Sequence, residues 1–307
     1  MVAAPPTLAR RHLAGTLMCA ASAASFGGMA IFGKLAYDAG VGVLTLLVVR
    51  FVLAGGILAA INATRRPRPR PLGRRTLLIA LGLGAIGYAA QSGLFFAALT
   101  RIDAGLTALV LYLYPSLVTL GAVALGRDRL DAVRAGSLAM AFVGLVLVLF
   151  VGNPGDVDAL GVGLALGAAV AYTGYILIAD TMLSGEVDSL GLSGLVCAGA
   201  AASFALVGGA SGQIQFSFDA IGWLWIGAIA VVSTVLAIAL FFGGLTRVGP
   251  SRASIVSTIE PLVTVTLAAV VFGEGLSATQ LAGGVLVLGS VVLLQTLGRR
   301  PSAPPAA

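Results

Sequence analysis

The chain has 307 residues, of which 59% are hydrophobic and only 10% charged, with a mean hydropathy of +1.05. Soluble domains carry about 25% charged residues, so there is too little polar material here to cover a soluble globule, and the chain reads as an integral membrane protein. The formal net charge of +6 is not a nucleic-acid footprint, because the basic residues fall in the short connections between apolar runs, where they set membrane orientation.

A helix needs about 20 apolar residues to cross the hydrocarbon. Ten stretches fit that scale: 13–35, 43–61, 76–99, 105–125, 135–151, 161–180, 192–209, 221–242, 253–272 and 281–297. The first follows Arg10 and Arg11 and is longer than a signal-peptide core, so it is expected to be an uncleaved span. Lys34 lies near its outer end, where a long side chain can snorkel. The second span carries Arg50. The loop after it, "RRPRPRPLGRR", is a topology anchor suited to anionic lipid. The third holds Tyr88, Gln91 and Ser92; the fourth Tyr112, Tyr114 and Pro115; the sixth Tyr172 and Tyr175. The eighth opens with Trp223 and Trp225, read as interfacial anchors, and goes on to Ser233 and Thr234. The ninth holds Ser257, Thr258, Glu260 and Pro261. Connections are short, and the tails 1–12 and 298–307, rich in Pro and Ala, are expected to be disordered. With the N-terminus in the cytoplasm, every loop arginine except Arg101 falls inside, which predicts an even number of spans and cytoplasmic termini.

The halves resemble one another. "LTRIDAGLTALVLYLYPSLVTL" begins at Leu99 and "LTRVGPSRASIVSTIEPLVTVT" at Leu245, with Pro115 and Pro261 at the same offset. Asp128 then falls opposite Glu274. The fourth span therefore matches the ninth, and the chain divides into two five-span repeats, 13–151 and 161–297. An odd number of spans per repeat forces opposite orientations, the design of secondary transporters with a midplane site. The fold class expected is thus all-α and polytopic, with ten transmembrane helices as two inverted repeats.

On these repeats, and on "VVRFVLAGG", "LYLYPSLVTLGAVALGRDRL" and "STIEPLVTVTLAAVVFGEGLSATQLAGGVLVLGSVVLL", the chain resembles the drug/metabolite transporter superfamily of the EamA type over about residues 13 to 297. One departure is Asp128, in "GRDRL", where glutamate is usual. The resemblance implies transport of small metabolites, often amino acids or related compounds.

Ionisable groups in hydrocarbon cost about 2.5–3.5 kcal/mol each. Arg50 and Glu260 enter from opposite faces and each reaches about 10 Å deep at 1.5 Å per residue. They could form a structural ion pair, placed first; line a wet cavity that binds a zwitterion; or, in the case of Glu260, take up a coupling proton. Pro115 and Pro261 each remove a backbone donor, and interrupted helices at matching positions point to a binding site. The substrate-lining candidates are Arg50, Gln91, Tyr112, Pro115, Tyr175, Thr258, Glu260 and Pro261.

His12 is the only histidine and the two cysteines, Cys19 and Cys197, stand apart, so no metal cluster or histidine triad is expected. "GMAIFGKL" has the spacing of a phosphate-binding loop but Leu35 where Ser or Thr is needed. The reading is a gradient-driven secondary transporter, an exporter of small polar metabolites in the cytoplasmic membrane, without a cofactor and not an enzyme. Its partners are a small-molecule solute and lipids, with a homodimer allowed and nucleic acid not expected. A multidrug or organic-cation exporter is the alternative; an intramembrane lipid-modifying enzyme stands behind it.

Overall fold

A computed structural model of the protein describes residues 6–66, 72–150, 158–182 and 188–297. Among the described residues ten helices are long and apolar enough to cross a membrane. They are α1 (Arg10–Asp38), α2 (Val43–Thr64), α3 (Arg74–Ala98), α4 (Ala104–Ala124), α5 (Ala132–Leu149), α6 (Ala159–Met182), α7 (Ser189–Ser211), α8 (Ile221–Pro250), α9 (Arg252–Phe272) and α10 (Ala278–Leu297). A helix satisfies its own backbone, which hydrocarbon cannot do. Helix already begins at Pro6, so part of the stretch expected as a disordered tail instead extends α1. Residues 1–5, the tail 298–307, and Arg68, Arg70, Arg299 and Arg300 lie outside the described residues.

The packing follows the repeat. α1 lies against α8, and its counterpart α6 lies against α3. The pairs α2–α7, α4–α9 and α5–α10 each join a helix to its own counterpart. Exchanging the halves maps this set onto itself, as a pseudo-two-fold axis between them requires.

Irregularities also come in pairs. α3 contains a π-helical turn over Leu83–Tyr88, and α8 contains one over Val231–Leu236. α4 is interrupted between Ala104–Leu111 and Tyr114–Ala124, and α9 is interrupted at Thr258, before Ile259–Phe272. π turns and broken helices inside a bundle mark places where backbone geometry serves something other than packing. The helical run is kinked near the end of α8 at Gly249 (φ 79°, ψ 165°), a positive φ that glycine adopts without strain, and Pro250 begins the helical segment that continues into α9.

Large apolar side chains such as Ile86, Leu206 and Val270 point outward, as a lipid-facing surface demands. Ion pairs gather at the two ends of the bundle: Arg65–Asp188 and Arg134–Asp128 at the arginine-rich end, Arg101–Asp158 and Lys34–Glu274 at the other.

Candidate transport site

The site forms where the two broken helices meet. Pro261 has no N–H, so the carbonyl of Ser257, four residues earlier, loses its helical donor. The Tyr112 hydroxyl donates to that carbonyl at 2.5 Å. Tyr112 itself stands at the break in α4, so one hydrogen bond ties the two interruptions together. α1 closes on the same point. A Cβ on Gly27 would sit 2.7 Å from the Glu260 carbonyl oxygen, so only glycine allows this approach, and the Thr264 hydroxyl donates to the Gly27 carbonyl at 2.9 Å.

A cavity of about 110 Å³ lies beside this junction, with Arg50, Tyr88, Gln91, Tyr112 and Glu260 among its walls. A second void, of about 420 Å³, shares Tyr88, Tyr114, Tyr172 and Glu260 and runs on to Tyr175, Phe242 and Ser189. A third, of about 320 Å³, lies around Tyr114, Pro115, Thr119 and Ser257. Ser189 is the first residue of α7 and adjoins the Arg65–Asp188 pair, so the chain of voids leads from the junction toward the arginine-rich end.

Arg50 is 1% exposed. Its Nε donates to the Thr234 hydroxyl at 3.1 Å, and that hydroxyl donates to the Ile229 carbonyl across the π turn of α8. The guanidinium lies 4.7 Å from the Phe51 ring centre and 5.3 Å from that of Phe96, the geometry of cation–π attraction. Its Nη1 has no hydrogen-bond partner among the described residues. Leaving a buried donor unpaired costs about 1–3 kcal/mol, and more for a charged group.

Glu260 is deep in the bundle but only part-buried, because its side chain faces the cavities. Among the described residues no salt bridge joins it to Arg50. The structural ion pair expected first is therefore absent: Arg50 is drawn to Thr234 of α8, while Glu260 is held at the junction of α9 with α1 and α4. An acidic and a basic side chain thus face one cavity without pairing with each other.

The other expected site residues divide. Gln91 lines the small cavity and accepts a hydrogen bond from Ser92 at 3.2 Å. Pro261 lines the same cavity. Tyr175 lines the second void, stacked on Tyr172 at 6.0 Å and 5.7 Å from Tyr88. Pro115 lines the third. Thr258 lines none of the three; its hydroxyl turns back to the Ile255 carbonyl at 2.7 Å, serving the break itself. Phe26, Phe95 and Phe96 line the small cavity without having been singled out, since an apolar ring in a membrane span carries no distinguishing signal in sequence. Lys34 does not snorkel toward lipid; it meets the Glu274 carboxylate at 2.5 Å.

Comparisons with known proteins agree with this architecture. The profile of the EamA-like transporter family matches residues 13–150 and again 159–296. An "Uncharacterized transporter" of Archaeoglobus fulgidus is 27% identical over 251 residues, covering 81% of this chain and 86% of its own length. The "Uncharacterized transporter YcbK" of Bacillus subtilis is 26% identical over 286 residues, covering 89% of this chain and 90% of its own. A crystal structure titled only "Crystal structure of protein" superposes with a TM-score of 0.65 at 20% identity, over 94% of this chain and 99% of that one, a likeness of fold. With both halves matched, this chain belongs to the EamA-like transporter family, within the drug/metabolite transporter superfamily.

Proposed function

We propose that the protein is a secondary transporter that exports small polar metabolites such as amino acids across the cytoplasmic membrane by alternating access. One observation carries this reading: among the described residues Arg50 Nη1 is buried without an acceptor, and on the same cavity Glu260 has no basic partner. Each buried charge costs about 2.5–3.5 kcal/mol in a spanning helix, and a solute with one carboxylate and one amine would answer both. An organic cation would satisfy Glu260 and be repelled by Arg50, so a zwitterion fits better. The arginine asymmetry supports cytoplasmic termini. The voids reach toward that arginine-rich side, where an exporter loads. No nucleotide-binding motif is present in the sequence, so a solute or ion gradient supplies the drive.

The test is counterflow in proteoliposomes with a panel of amino acids, their decarboxylated amines and their methyl esters, at two pH values. Exchange of the zwitterions but not of the other two forms is expected, with sharp loss in Arg50→Ala and Glu260→Gln proteins that still insert. Wild-type exchange in either variant would refute a site role for that residue.

A further inference from the structure

The end of the bundle opposite the arginines is closed by a compact polar cluster. Lys34 of α1 meets Glu274, which follows α9, at 2.5 Å, and its ammonium lies 5.5 Å from the centre of the Phe272 ring. The other carboxylate oxygen of Glu274 accepts the backbone N–H of Ala104 at 2.8 Å and that of Gly105 at 3.4 Å. These are the first two residues of α4, where free N–H groups and the helix dipole favour an anion. Asp103 stands 4.0 Å from Lys34. The Glu274 side chain is 9% exposed, so solvent screens that carboxylate little. One carboxylate thus fastens together α1 and α4 of the first repeat and the end of α9 in the second.

The repeat supplies an independent second observation. At the offset that brings Pro115 onto Pro261, Glu274 corresponds to Asp128, and Ala104, which starts α4, corresponds to Pro250, which starts the helix after Gly249. Yet among the described residues no hydrogen bond takes Asp128 to that helix start. It accepts the N–H of Arg129 at 2.8 Å and pairs with Arg134 at 2.8 Å. The carboxylate is therefore fastened to a helix start at one end of the bundle and unfastened at the end to which the voids lead; there Lys34 has Asp180 as its counterpart and Pro250 has no N–H, so only the N–H groups beyond Pro250 are left for Asp128 to accept. In an inverted repeat, the two halves exchange conformations when the site changes sides.

We propose that Lys34, Glu274 and the N-terminus of α4 form the outer latch of the transport cycle, and that Asp128 on the start of the α9 helix forms the matching inner latch when the outer one opens. This rests on the alternating-access reading given above. Glu274 and Lys34 are positioning residues that hold one state and touch no solute. Each latch biases the equilibrium by differential contact with the two states, which is the only way such a bias can arise.

Side-specific labelling tests this without any solute, so its failure is separable from failure of the transport reading. Cys19 and Cys197 are replaced by alanine in the full chain, and a single cysteine is placed in the small cavity as Ala30→Cys. A membrane-impermeant maleimide is then added to the outer face of oriented vesicles. Glu274→Gln keeps the shape and a hydrogen-bond acceptor but loses the charge; Lys34→Gln is the second variant, should the first fail to insert. Each is expected to raise the outer-face labelling rate about fivefold or more, the lower bound of typical coupling between sites. Asp128→Asn is expected to lower it, since Arg134 keeps its second partner Asp131 at 2.6 Å when Asp128 is neutralised. Asp158→Asn breaks an exposed pair at the same face and is expected to leave the rate within about twofold, as screened surface pairs are weak. Unchanged rates in both latch variants would overturn the proposal, as would a rise with Asp128→Asn or an equal rise with Asp158→Asn.

Discussion

Replacing Tyr112 with phenylalanine removes a single hydroxyl and leaves the carbonyl of Ser257 without a donor, because Pro261 has no N–H to offer it. A buried polar group left unsatisfied costs about 1–3 kcal/mol. Interhelical hydrogen bonds measured inside membranes average about 0.6 kcal/mol and reach about 1.7, since separated helices find other partners. The Ser257 carbonyl has few, because it lies at a break and Tyr112 is 4% exposed, so a loss of about 1 kcal/mol is expected for Tyr112→Phe. Pro261→Ala supplies the missing N–H and lets the helix recapture the carbonyl. In that background the same Tyr112→Phe change is expected to cost only a few tenths of a kcal/mol, a coupling of about 0.5–1 kcal/mol. Unfolding equilibria in mixed micelles titrated with SDS, followed by helicity, give the four corners of the cycle. An identical cost of Tyr112→Phe in both backgrounds would refute the claim that this hydroxyl compensates the proline.

Thr234→Val removes the acceptor of Arg50 Nε and leaves a second buried N–H unpaired; amino-acid counterflow should show an apparent affinity weakened about tenfold or more, and an unchanged affinity would contradict the positioning role. Arg50→Lys keeps the charge but not the planar fork, so it too should weaken exchange about tenfold or more, and full activity would show that charge alone suffices. Cysteines at Arg65 and Arg75 should react with an impermeant reagent only from the cytoplasmic face; labelling from outside would invert the orientation. Burial, and then the nearby Glu274 carboxylate, hold the Asp103 carboxyl above its ordinary pKa, with Lys34 pulling the other way. A raised carboxyl pKa means that the charged form is disfavoured in the folded state. That penalty is present above the folded pKa and gone below the unfolded one. Asp103→Asn should therefore raise the SDS midpoint at about pH 8 and leave it unchanged at about pH 3, and destabilisation at the higher pH would contradict this. The side chain caps no backbone N–H of α4, so no helix cap is lost with it.

Much of the fold could be read in the sequence because its signals are long-range averages. Twenty-residue apolar runs and the placement of arginines survive local error, and the shared Leu-Thr-Arg with its proline gave the repeat. The helix breaks followed from Pro115 and Pro261, since a missing N–H acts wherever the residue is placed. Partnership was harder to read. Depth alone suggested that Arg50 and Glu260 meet, but depth says nothing of rotation about a helix axis, and Thr234, which bonds Arg50, sits on a π turn that a 3.6-residue period does not foresee. Lys34 looked like a snorkelling residue because Glu274 lies 240 positions away along the chain. Thr258 looked like a cavity residue by its neighbours, and local bonding to Ile255 turned it elsewhere.

The central claim is that one cavity between the two halves opens to each side in turn. A single cysteine at Ser92→Cys, on the wall of the small cavity, tests it in right-side-out and inside-out vesicles with an impermeant maleimide. The account predicts labelling from both faces, faster from the arginine-rich one. Reaction from a single face under every condition, including saturating exchangeable amino acid, would contradict it.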